Sequence, residues 1–203
     1  MKTENQITLT LSFSNDRELL EFARAYLLWR TGKVPAAPPS HSPENPYYEI
    51  RQQLESFEGR KNVVYVDTNG FPTVGIGHRT VFIDAELVGR ALNVGDQITD
   101  EEVLTLFVHD VDSVQSLLEK TAGFSSLSEG RKNALIDLAF SMGYSGLKKF
   151  ENMWAAIERG DFKEAAKEIV NSKWAKDVGE RRSSIVARMM EEGITFTHAT
   201  GAK

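Results

Sequence analysis

Glu58, Asp67 and Thr73 lie in one short stretch, EGRKNVVYVDTNGFPTVGIGH over residues 58 to 78, and their side chains could between them break an acetal. Glycosidic bonds cleave through an oxocarbenium-like transition state. One acid protonates the departing oxygen, and a second carboxylate directs water or steadies the developing charge. Glu58 and Asp67 supply the two carboxyl groups. The hydroxyl of Thr73 can hold a water beside Asp67, turning a bimolecular encounter into a positioned one. Spacing alone does not single these residues out, because a chain of 203 residues with 29 acidic ones repeats such a separation by accident, and a solvated surface charge is the default reading of any one pair.

The surrounding residues say how the set would be held. Ile50, Leu54 and Phe57 recur at helical spacing, so a helix from Tyr47 should carry Glu58 to its end, with Gly59 turning the chain away. Val64, Val66, Phe71, Val74 and Ile76 suit strands on either side of a Thr68-Asn69-Gly70 turn, where Asn and Gly tolerate positive φ. Gly75 and Gly77 bring backbone close to a neighbour. Downstream, Thr99 and Glu102 form a capping box ahead of Val103, Leu106, Phe107, Val111, Val114 and Leu118, the pattern of a long helix. Ser128 should cap the next helix, which carries Ala134, Leu135, Leu138 and Ala139 as a core stripe and breaks at Gly143. Shorter helices follow around Trp154, from Ala165 to Val170 and from Ser183 to Glu192.

The string E-G-x5-Y-x-D-T-x-G-x-x-T-x-G-I-G-H resembles the signature of phage-type lysozymes, glycoside hydrolase family 24, the T-even phage group. The resemblance continues through ITDEEVLTLFVHDVD (98–112), RKNALIDLAFSMGYSGLKKF (131–150) and AAKEIVNSKW (165–174) and covers roughly residues 47 to 195. It implies an α+β fold with a small β-hairpin lobe and a larger helical lobe joined by a long helix, the lobes closing on a cleft. It implies an N-acetylmuramidase cutting the β-1,4 bond between N-acetylmuramic acid and N-acetylglucosamine with inversion. Glu58 would be the acid, Asp67 the water-directing carboxylate and Thr73 its helper. By the same resemblance His78 and Asp110 form a structural ion pair, Arg181 contacts the catalytic glutamate, and Arg79, Phe140 and Ser141 line the sugar-binding surface. Side chains depart from the family at Arg79, Ser141, Asp137 and Met153. A cation beside Glu58 stands in tension with the acid's role, since it favours the ionised form.

Composition sets the remaining expectations. A 41% hydrophobic content is enough for a sizeable core, and the absence of cysteine is compatible with a cytoplasmic origin. The start MKTENQ shows no signal-peptide pattern, so action on the periplasmic wall would need release at lysis or carriage in a tail. The net charge of −5 argues against nucleic acid as a partner. The histidines, at 41, 78, 109 and 198, have no metal-ligand spacing, and neither metal nor cofactor is expected.

Three segments are expected: a strand-helix module over 1–31, a linker over 32–46 and the lysozyme-like domain over 47–203. ITLTLSF (7–13) alternates as a strand, and Asn15 with Glu18 caps a helix whose face holds Leu19, Leu20, Phe22, Ala23, Tyr26, Leu27 and Trp29. One strand and one helix cannot bury these faces alone, so residues 7–29 are expected to dock on the catalytic domain, on a second copy, or on another protein. Five of the six prolines fall at 35, 38, 39, 43 and 46 and mark the linker. Residues 1–46 balance five acidic against five basic side chains, so the negative charge belongs to residues 47–203. Two other functions compete with the hydrolase: a lysozyme-like structural component of a tail or secretion particle, and an interfacial membrane helix over 1–31. Glu21 and Arg24 on a short apolar run count against the membrane reading.

Overall fold

A computed structural model describes residues 47–81 and 84–201. Helix α1 (Tyr48–Glu58) leads into a three-stranded antiparallel sheet, β1 (Lys61–Val66), β2 (Pro72–Gly75) and β3 (His78–Arg79), in that spatial order. A short helix α2 (Asp84–Leu87) precedes the long helix α3 (Asp100–Leu118). A 3-10 turn (Phe124–Ser126) then leads to the helical lobe: α4 (Glu129–Met142), α5 (Tyr144–Leu147), α6 (Glu151–Glu158), α7 (Phe162–Val170), α8 (Lys173–Val178), α9 (Glu180–Glu192) and α10 (Phe196–Thr200). The architecture is α+β, a small sheet lobe and a larger helical lobe joined by α3. The expected strand-helix module and proline linker lie outside the described residues.

Local chemistry accounts for the boundaries that position the site. The Gly59 amide donates to the Glu55 carbonyl at 3.0 Å and ends α1 with Glu58 as its last residue. Thr99 caps α3, accepting from the Glu102 amide at 3.1 Å while the Glu102 carboxylate accepts from the Thr99 amide at 2.7 Å, a reciprocal pairing that satisfies two otherwise orphaned donors. The same Glu102 pairs with Arg90, which ties the loop before α3 to the helix start. Ser128 accepts from the Arg131 amide and starts α4.

Helix α4 is the centre of the helical lobe, with Ala134, Leu135, Ile136, Leu138 and Ala139 all buried. Its first turn lies hard against the segment between α9 and α10. A Cβ placed on Gly130 would sit 2.0 Å from the Ile194 carbonyl oxygen, so no larger residue fits there. On the sheet side, Val64, Val74 and Ile76 are buried in the same core as Val103 and Phe107 of α3. The expected strand face does not extend to Val66 and Phe71, which are 52% and 48% exposed. They flank the hairpin tip, beyond the reach of the core, and the Phe71 ring instead carries the Arg79 guanidinium 4.3 Å from its centroid.

Candidate active site

The hairpin tip is organised by Asp67 itself. Its Oδ1 accepts from the Asn69 and Phe71 amides, each at 2.8 Å, while its backbone amide donates to the Phe71 carbonyl at 2.8 Å. Side-chain capping of a turn by aspartate fixes the carboxylate and the loop together. The turn is therefore Asp67 to Gly70, and Gly70 alone takes a positive φ, 85°; the expectation that Asn69 would share that conformation is corrected. With Oδ1 satisfied by two backbone donors, Oδ2 is the oxygen left for chemistry, and Arg79 Nη2 lies 3.6 Å from it.

Sheet register supplies the second residue. Tyr65 pairs with Thr73 across β1 and β2, and Thr73 pairs with Arg79 across β2 and β3. Directly opposed residues present side chains on the same face, so Tyr65, Thr73 and Arg79 form a row. Thr73 is only 3% exposed, and its hydroxyl donates to the Phe71 carbonyl at 3.1 Å. The donor proton is thereby committed, and the oxygen's lone pairs remain to accept from a water.

Glu58 enters from the opposite side, at the end of α1. Gly77 packs beside it: its φ of 71° is the left-handed conformation that favours glycine, and a Cβ there would be in ordinary contact, 3.5 Å, with Cγ and Oε2 of Glu58. The carboxylate is 27% exposed and accepts at Oε1 from Arg182 Nη1 at 2.7 Å. The arginine expected at this place was Arg181. The structure puts Arg181 outside, donating to the Ser56 side chain at 3.0 Å, and Arg182 inside, 7% exposed. The reason is helical phase. The buried face of α9 is Arg182, Ser183, Val186, Ala187, Met189 and Met190, and Arg182 lies one turn before Val186. That apolar phase was present in the sequence and points to Arg182.

Behind Arg182 is a residue that sequence reasoning noted only as a departure. Asp137 on α4 is fully buried, accepting from Arg182 Nε at 3.0 Å and from Gln53 Nε2 at 2.8 Å. Burial pushes the Asp137 carboxyl up from the usual range, against the pull of Arg182 and Gln53. In the other direction, the charges of Asp137 and Glu58 outweigh the burial of Arg182 and raise its pKa.

His78 pairs as expected with Asp110, Nδ1 to Oδ2 at 2.7 Å, and also with Asp84, Nε2 to Oδ1 at 3.1 Å. Asp84 was missed. It is fully buried at the start of α2 and also accepts from the Val81 amide at 2.9 Å, and no pattern in the sequence distinguishes it from a surface aspartate. Burial lowers the His78 pKa, but the hydrogen bonds and charges of Asp110 and Asp84 win, so the net shift is upward.

Glu58, Asp67 and Thr73 all line one cleft of about 1070 Å³ between the lobes. Arg79, His78 and Asp110 line it from the sheet and α3, and Phe140 and Ser141 from the end of α4. Arg182 reaches it and Arg181 is not among its walls. Trp174 is core, 6% exposed, and its indole N–H donates to the Ser141 hydroxyl at 3.0 Å, which fixes that wall. Among the described residues no group of three or more His, Cys, Asp or Glu could hold a metal ion, and no helix is long and apolar enough to cross a membrane.

A cleft between a sheet lobe and a helical lobe, lined by two carboxylates and a threonine, is the arrangement of a glycoside hydrolase. Residues 55–192 match the family model for phage lysozyme, and the chain belongs to that family. It is 31% identical over 158 residues to the pre-baseplate central spike protein Gp5 of Enterobacteria phage T4, covering 70% of this chain but only 28% of that protein. It is 28% identical over 155 residues to the probable T4-type lysozyme 1 of Dictyostelium discoideum, covering 68% of this chain and 91% of the relative. A peptidoglycan hydrolase of Enterobacteria phage SP6, gp36, is 26% identical over 138 residues, covering 63% of this chain and 14% of that protein.

Proposed function

We propose that this protein is an N-acetylmuramidase that hydrolyses the β-1,4 bond between N-acetylmuramic acid and N-acetylglucosamine in peptidoglycan. The observation that carries the reading is the convergence of Glu58, Asp67 and Thr73 on one cleft, with Asp67 Oδ2 and the Thr73 lone pairs left free by the turn. Glu58 gives its proton to the glycosidic oxygen as the bond to the anomeric carbon breaks. A water held between Asp67 Oδ2 and Thr73 Oγ1 attacks the opposite face of that carbon and passes its proton to Asp67. The product has inverted configuration. Arg79, stacked on Phe71, borders the entry to this water site, and Phe140 and Ser141 form the opposite sugar-contacting wall. Clearing of outer-membrane-permeabilised Gram-negative cells, followed by turbidity for the wild type and Glu58→Gln, tests the assignment. Loss in the variant is expected, and equal clearing by both proteins would sink it.

A tail-borne setting is favoured by the similarity to a phage T4 spike protein and by the acidic charge, −5, which gives no diffusional steering toward an anionic wall. In that setting the front segment would dock on a partner or a second copy through residues 7–29, and the enzyme would reach the periplasmic wall with the particle rather than at lysis. Stoichiometric recovery of the chain in purified particles is expected. Recovery only in the lysing cytoplasm would refute it.

A further inference from the structure

The wall behind Glu58 contains a buried carboxylate for which the hydrolytic steps have no use. Asp137 has no exposed surface, yet it faces the arginine that orients the proposed acid. One guanidinium spans both groups, Nη1 to Glu58 Oε1 at 2.7 Å and Nε to Asp137 Oδ1 at 3.0 Å. Gln53 takes the other Asp137 oxygen at 2.8 Å, so the carboxylate is held at both ends. Taking a carboxylate out of water costs free energy that a neutral side chain does not incur, so the charge itself calls for an explanation.

The tension at Glu58 supplies one. A single arginine facing a single glutamate stabilises the ionised carboxylate, which opposes proton donation. A second anion on the same guanidinium divides that attraction and adds a repulsion of its own. Burial holds the Asp137 carboxyl above its usual range, and the Glu58 charge adds to that against the pull of Arg182 and Gln53. Lys61, Asp67, His78, Arg79, His109 and Asp110 are other titratable and charged groups lining the same cleft from the sheet lobe and α3.

We infer that Asp137 is a positioning residue for the reaction: it anchors Arg182 edge-on and shares its charge, so that Glu58 is oriented by the arginine without being its sole counter-ion. The inference rests on the muramidase reading of Glu58. Asp137→Asn keeps the shape and removes the charge: the amide oxygen still accepts from Arg182 Nε, and the amide NH2 donates to Gln53 Oε1 once the Gln53 amide turns over. The alkaline limb of the kcat/KM profile for wall hydrolysis should move down by about one pH unit, with an activity loss of about ten-fold beyond the limb. The acid limb should stay where it is. A uniform loss at every pH, or an unmoved profile, overturns the inference.

Carboxyl 13C NMR on the full chain reads the same coupling without turnover, the Glu58 signal being assigned by its loss in Glu58→Gln. Its titration midpoint should fall by about one pH unit in Asp137→Asn; an unmoved midpoint overturns the inference even if wall hydrolysis is absent and the muramidase reading has failed. Should Asp137→Asn not melt cooperatively, the wild type decides. Glu58 and Asp137 must then each show an inflection at the other's midpoint, and two independent single-site curves overturn the inference.

Discussion

Replacing His78 by Asn removes the one cation between two carboxylates. His78 is 4% exposed, Asp84 is fully buried, and Asp110 Oδ2 lies 2.7 Å from Nδ1. An asparagine amide is neutral and cannot reach both acids, so the Asp84 carboxylate is left buried with no counter-charge. Removing one partner of a buried pair costs about 3–5 kcal/mol, equivalent to about 6–20 °C in Tm for a domain of this size. The effect depends on pH in a definite direction. Burial works against the imidazolium, but Asp110 and Asp84 more than compensate, and the folded pKa is raised above the unfolded one. The stabilisation is therefore complete below the unfolded histidine value of about 6.5 and fades as pH rises through the folded value. Above that range only neutral hydrogen bonds remain to be lost, about 1–3 kcal/mol. Thermal melts by circular dichroism at pH 5.5 and 9.5, on wild type and His78→Asn, measure the difference. A Tm loss of the same size at both pH values would refute the ion-pair reasoning.

Arg182→Ala should destabilise by about 3–5 kcal/mol, because Asp137 is left buried without its counter-charge, and should also abolish most wall hydrolysis. Arg181→Ala should cost about 1 kcal/mol or less, since an exposed arginine gives up hydrogen bonds to Ser56 and a cation–π contact 5.6 Å from the Phe57 centroid. Denaturant melts and turbidity on both variants check the pair, and equal effects would restore Arg181 to the site. Gly130→Ala should cost about 3 kcal/mol or more, as the added methyl meets the Ile194 carbonyl 2.0 Å away. A melting temperature within a degree or two of wild type would show that the segment between α9 and α10 yields more easily than its packing implies.

Local chemistry, legible in consecutive residues, dictated one part of the protein. Glu58 had to end a helix, because apolar spacing ran through Phe57 and a glycine followed. The Thr99 and Glu102 box, the Ser128 cap and the break at Gly143 are rules of backbone satisfaction written in neighbouring residues, and they appear as written. Helix α9 carried its phase as well, and Arg182 was legible there from Val186, Ala187, Met189 and Met190. Packing in three dimensions settled the other part. Asp84 and Asp137 are ordinary acids by type and spacing, and only the folded core removes them from water and sets them against His78 and Arg182. The row of Tyr65, Thr73 and Arg79 depends on strand register, which turn geometry fixes and composition does not. Burial and charge pairing join residues as far apart as Gln53, Asp137 and Arg182, and such long-range contacts leave no periodic trace in the chain.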